Sequence, residues 1–200
     1  MIMTVIIDLL GALMVATLLM LMVITFQLQF RDTADRTIFA AQMMSHEQRA
    51  CKELNNIIAL VGVNYPIDSL VVIQADSTRL QFRTFWDYQG NMMTNTANTL
   101  SLTLSNSTTD VGRELDILQS ASPVYDLGSI LWLEELRFRY YDINDSLMGS
   151  VVTGSDLGRI YSIDVNMTFK RDPPDITTTP LRVKVQQRCY LMNRYLRHSP

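Results

Sequence analysis

From Ile2 to Phe26 the chain is apolar at every position except for three threonines, Gly11 and a single carboxylate, Asp8. A bilayer is crossed by about 20 such residues, so the run is long enough to span one. After Phe30 the pattern changes, with no glycine or proline to mark a break. Phe39, Met43, Ala50, Leu54, Ile57 and Val61 follow one another at steps of three, four or seven, which is helical period. Arg31, Asp32, Asp35, Arg36, Gln42, Glu47 and Lys52 fill the remaining faces. The spacing predicts one continuous helix from Val5 to Val61, about 80 Å long at about 1.5 Å per residue. Its first half is apolar all round and its second half amphipathic. Gly62 and Pro66 end it.

Beyond Pro66 the period becomes two. "SLVVIQAD" and "TRLQFRTFWDYQGN" form a predicted hairpin, with Leu80, Phe82 and Trp86 on one side. "TLSLTLSN" alternates Leu100, Leu102 and Leu104 with Ser and Thr, and "ELDIL" is a short strand. "LEELRFRYYD" sets Leu136, Phe138 and Tyr140 against Arg137 and Arg139. In "RIYSIDVNMTFKR", Tyr161, Ile163, Val165, Met167 and Phe169 share a face, and "PLRVKVQQRCYL" alternates Leu181, Val183 and Val185 with Arg182 and Lys184. Turn-forming Gly, Asp, Asn and Pro lie between these strands. Such alternation predicts antiparallel sheets, wet on one face, whose dry face the amphipathic helix covers. The fold class is therefore α+β: residues 1–30 a transmembrane helix, 31–62 its amphipathic continuation, and 63–200 a β-rich head. The tail "NRYLRHSP" reads as loose.

Composition narrows the function. The chain has 200 residues, 17 basic and 20 acidic, for a net charge of −3. The charges are spread along it, with no basic stretch for nucleic acid and no acidic tail. The run at residues 2–26 has no basic segment before it, is longer than a signal peptide's apolar core and is followed by no A-x-A-like site, so it reads as retained. Cys51 and Cys189 do not cluster with His46 or His198, which excludes a zinc signature. A long-range disulfide and two free thiols both remain open. The sequons at Asn106, Asn144 and Asn166 carry little weight in a chain rich in Asn, Ser and Thr. None of the common catalytic or nucleotide-binding motifs is present. Glu134 and Glu135, adjacent in a strand, point to opposite faces and make no acid–base pair. Asp172 and Asp175 flank Pro173–Pro174 and read as a solvated turn rather than a calcium site. Phe85, Trp86, Tyr88, Tyr140 and Tyr141 read as packing aromatics rather than a ligand cage. No cofactor is expected, and no enzyme.

A long N-terminal helix, half membrane and half amphipathic, followed by antiparallel sheet, resembles the type IV pilins and the pseudopilins of type II secretion. "TVIIDLLGAL" is similar to the "FTLIELLVAL" opening of mature pilins, with Asp8 in place of the glutamate. "LEELRFRYYD", "RIYSIDVNMTF" and "TTTPLRVKV" resemble strands of the larger minor subunits, the J-type pseudopilins and W-type minor pilins. Counted from Thr4, Asp8 is the fifth residue, and the resemblance implies that it pairs with the N-terminal amine of a neighbouring subunit and sets register. The bland alternative is an acid that reaches the headgroups. In the family the residue before the mature start is Gly or sometimes Ala; here Met3 precedes Thr4.

The resemblance further implies a bacterial inner-membrane protein with a single pass and a periplasmic or extracellular head. Its partners would be other pilin-like subunits along the helix, an inner-membrane assembly platform and the lipid bilayer, and no nucleic acid. Arg31, Arg36 and Arg49, all on the head side, would by the positive-inside rule alone keep the head in the cytoplasm. The expected function is a structural subunit of a pilus or secretion pseudopilus. The alternative is a single-pass protein whose β-rich domain binds a ligand or protein outside the cytoplasm.

Overall fold

The computed structural model describes residues 2–66, 69–109, 112–124, 132–171 and 180–198. One helix, α1, runs without interruption over Ile2–Ala59. The residue steps that predicted it also predicted its buried side: Met43, Ala50, Leu54, Ile57 and Val61 are buried, joined by Ile58, while Phe39 is half-buried. By its contacts the chain divides into two units, Met1–Gln42 and Met43–Pro200.

The helix ends where a glycine is required. After short-range turns from Leu60 N–H to the Ile57 carbonyl and from Val61 N–H to the Ile58 carbonyl, Gly62 adopts φ +72°. That left-handed backbone strains any residue with a Cβ, and a Cβ there would also press on the Val71 side chain at 3.3 Å. The Gly62 N–H is then free to donate to the Arg83 carbonyl.

Two antiparallel sheets follow. The first contains β1 (Val72–Ala75), β2 (Arg79–Asp87), β3 (Met92–Thr109), β4 (Gly112–Gln119) and β5 (Ser122–Pro123) in that order, with β6 (Trp132–Leu133) also paired to β4. The second contains β7 (Glu135–Tyr141), β8 (Leu147–Gly149), β9 (Ser162–Arg171) and β10 (Leu181–Tyr190), in the order β10-β9-β7-β8. A 3₁₀ turn, Gly154–Arg159, precedes β9. Backbone bonds tie the sheets together: Phe138 N–H donates to the Ser77 carbonyl at 2.8 Å, and Val152 N–H to the Ala75 carbonyl at 2.9 Å. The buried side chains of Met43–Val61, both sheets and the turn form one core, centred on Phe82, Phe138, Tyr140, Leu102 and Ile163.

Three features differ from the sequence expectation. Trp86 is not buried with Leu80 and Phe82: their face continues only as far as buried Thr84, the register then slips between Thr84 and Trp86, and Trp86 is half-buried. The polar face of β9 is not wet, because Ser162, Asp164 and Thr168 are buried between the longer side chains of β7 and β10. The tail is not loose either. A second helix, α2 (Met192–His198), is held by Asn193, whose amide donates to the carbonyls of Ala59 at 2.9 Å and Val61 at 3.2 Å. These carbonyls lie at the end of α1, which has no basic residue in its last turn, so a distant side chain supplies donors that the helix lacks. Arg194 donates to the carbonyls of Ile160 and Gly158, and the Tyr195 ring meets Tyr161 edge-on at 5.3 Å.

Candidate functional site

The first stretch of α1 exposes apolar side chains on every side, from Met3 through Leu10, Val15 and Leu21 to Phe30. By length and composition this is a helix able to cross a membrane. Thr17 and Thr25 are satisfied within the helix. Thr17 Oγ1 donates to the Met14 carbonyl at 2.8 Å and Thr25 Oγ1 to the Leu21 carbonyl at 2.7 Å. Asp8 is different: it is exposed and has no hydrogen-bond or ion-pair partner among the described residues. The nearest side-chain cation along the helix is Arg31, about 35 Å away by helical rise. A charge partner for this carboxylate in an apolar medium must come from a chain terminus, another molecule or water.

Cys51, half-buried on α1, and Cys189, buried on β10, both belong to the core region and are free thiols. Burial pushes the Cys189 thiol up to about 11, and nearby Cys51 and Asp164 add to the rise. At neutral pH that thiol is protonated and a poor nucleophile. Asp172 and Asp175 lie outside the described residues.

The head's most elaborate polar cluster is centred on Asp164. Its Oδ1 accepts from Arg188 Nε at 2.8 Å, and its Oδ2 accepts from the Tyr141 hydroxyl and Gln186 Nε2, each at 2.9 Å. Arg188 also reaches Asp145 at 3.3 Å and lies 3.8 Å over the Tyr141 ring. Burial opposes ionisation of Asp164, but the hydrogen bonds from Arg188, Tyr141 and Gln186 outweigh it and hold the carboxyl below its usual range. A carboxylate held in this way, with three of its roughly four acceptor sites filled and its basicity lowered, organises a sheet face and is poorly suited to general-base work. The aromatics also find packing roles. Phe85 meets Tyr65 at 4.9 Å, and the hydroxyl of buried Tyr140 donates to the Asp76 carbonyl at 2.7 Å. Glu134 and Glu135 do not diverge as strand alternation predicts: Glu134 sits at a bend before β7, and both acids reach cations of the outward sheet face, Glu134 pairing with Arg182 at 2.9 Å and Glu135 with Arg137 at 2.5 Å. Among the described residues no three His, Cys, Asp or Glu side chains converge on a common point.

Sequence reading missed two features of the head. One is an open, polar pocket of about 520 Å³ bordered by Ser69, Asp142, Asn144, Arg159, Tyr161 and Arg194. The other is a collection of cations on the outward face of the second sheet. Their signal was visible as Arg and Lys at alternate positions of single strands, but the strand order that unites them was not.

No family model matches the chain, and no curated protein matches it by sequence. Among solved structures, a type IV-like pilin from Thermus thermophilus is similar over 76% of this chain and 96% of that one, with 8% identity and a TM-score of 0.53. At that identity the likeness is one of fold. The fold is pilin-like: a long N-terminal helix with antiparallel sheets.

Proposed function

We propose that the chain is a membrane-anchored, pilin-like structural subunit, a minor pilin or pseudopilin that assembles with related subunits through its N-terminal helix. Asp8 carries this reading: it is a carboxylate with no partner among the described residues, in a helix whose other described polar groups there, Thr17 and Thr25, are satisfied within it. Leaving such a charge in hydrocarbon costs on the order of 3 kcal/mol. A cation fixed on a neighbouring subunit offsets that cost and sets axial register at the same time. The all-round apolar surface suits lipid before assembly and like helices after it. The partners are then related subunits, the bilayer and an inner-membrane assembly platform, with the head outside the cytoplasm and no catalytic step.

Asp8→Ala and Asp8→Asn test this. Both variants should insert and fold normally yet lose cross-linking between subunits by at least about tenfold, since one unit of 1.4 kcal/mol already shifts an association constant that far. Unchanged cross-linking would overturn the register role.

In an oxidising compartment we further propose that Cys51 and Cys189 join α1 to β10. Mass spectrometry of the alkylated, unreduced protein should then find both thiols blocked from the reagent. Two alkylated cysteines in protein taken from the membrane would overturn the pairing.

A further inference from the structure

The sequence has no basic stretch, but the second sheet assembles a basic surface. Strand alternation and register put Arg137 beside Asn166 and Gln186, Arg139 beside Asp164 and Arg188, and Lys184 beside Thr168 and Glu135, all on the side away from the core. Lys170 and Arg182 extend the face by one more row. In a chain of net charge −3, this face carries Arg137, Arg139, Lys170, Arg182, Lys184 and Arg188 against only Glu134, Glu135 and Asp164.

The ion pairs show which cations remain available. Arg188 is engaged by Asp164 and Asp145, Arg137 by Glu135, and Arg182 by Glu134. Arg139 and Lys184 are exposed and have no ion-pair partner among the described residues. The Asn166 side-chain amide, in the middle row, is buried without an acceptor, and such an orphan costs about 1–3 kcal/mol. The two unpaired cations and the Asn166 amide are donors, and the ligand chemistry that complements them is acceptor-only, which describes a carboxylate.

We propose that this face docks an acidic segment of another protein, with Arg139 and Lys184 each taking a side-chain carboxylate. The two cations lie two strands and four residue steps apart, on the order of 16 Å, a span that one strand or a few helical turns can cover with two acids. Glu134 and Glu135 sit among the cations and repel a uniformly charged polyphosphate, whereas discrete side chains can avoid them. The face is built from β7, β9 and β10 and uses no part of Asp8, so the surface stands or falls independently of the assembly reading.

The test uses the full chain in zwitterionic nanodiscs and a labelled peptide of alternating Glu and Ser, followed by fluorescence anisotropy at low salt. Arg139→Glu with Lys184→Glu should weaken peptide binding about tenfold with thermal unfolding unchanged, because rim charges act on encounter and affinity rather than on the fold. Lys52→Glu with Arg83→Glu makes the same change in net charge elsewhere and should stay within about twofold. Equal losses in the two double variants would reduce the effect to bulk charge and overturn the proposal. Tighter binding of a single-stranded oligonucleotide than of the peptide, charge-dependent self-association by light scattering, or absence of peptide binding would also overturn it. Asp8→Ala should bind the peptide like the parent protein.

Discussion

Asp8 on α1 and Asp164 on β9 are both carboxylates placed where water is scarce or can be, and the chain equips them in opposite ways. Asp164 is 2% exposed and is met by Arg188, Tyr141 and Gln186, three donors from the two strands that flank its own. Asp8 has apolar neighbours along the helix and no donor among the described residues. The difference follows from the secondary structure. A central strand has neighbours on both sides within about 5 Å, so a sheet can build a cage around one side chain. A lone helix satisfies its own backbone and short hydroxyls, but it offers a carboxylate nothing unless a cation stands three or four residues away. One acid is therefore complete as folded, and the other has no partner among the described residues.

The sharpest way to break this contrast is Asp164→Asn. It leaves Arg188 beside a neutral amide that also loses acceptor capacity, and the head should be destabilised by about 2–3 kcal/mol, reduced from a fully buried pair because Arg188 is partly exposed. Denaturant midpoints on the full chain in micelles measure it, and a shift below about 0.5 kcal/mol would show that the cluster is ornamental.

Acid titration should produce a smaller effect. The folded carboxyl of Asp164 lies below the ordinary value of about 3.9. Its contribution is therefore whole above that unfolded value and is lost as pH falls through the lower folded one. The parent protein should lose stability below about pH 4, more steeply than Asp164→Asn does.

Asp8→Ala completes the series with the smallest change. The stability of the head should stay within about 0.5 kcal/mol of the parent, even though the same variant is expected to weaken subunit cross-linking by about tenfold or more. A large loss of head stability would mean that Asp8 acts within its own chain.

Much of this arrangement was legible in the residue pattern because it depends on local period. α1 was readable since no Gly or Pro interrupts residues 12–61, its first half is long and apolar enough for a membrane helix, and its second half keeps a helical rhythm. The core faces of β7 and β9 followed from alternation alone. Features that depend on which strands become neighbours were not readable. The division into two sheets, the burial of Ser162 and Thr168 and the gathering of Arg139 with Lys184 all require the order β10-β9-β7, which no local period encodes. The slip after Thr84 is hidden because the extra residues lie on β3, where Asn98 faces Thr84 but Met93 faces Trp86, while the alternation of β2 looks regular on paper. α2 was hidden for a related reason: it is seven residues long, and a polar side chain, Asn193, anchors it. As for the candidate site, Asp8 was conspicuous as the one acid in an apolar run, while the cations of the sheet face were scattered over fifty positions of sequence.

The Asn193 amide closes a loop of 134 residues when it reaches the Ala59 carbonyl. During synthesis α1 emerges first and can coil at once, but its final carbonyls stay unfinished until Asn193 has left the ribosome. The head is therefore sealed late, like a drawstring pulled after the bag is sewn, and a stalled or clipped chain would expose its seam to proteases just where α1 ends.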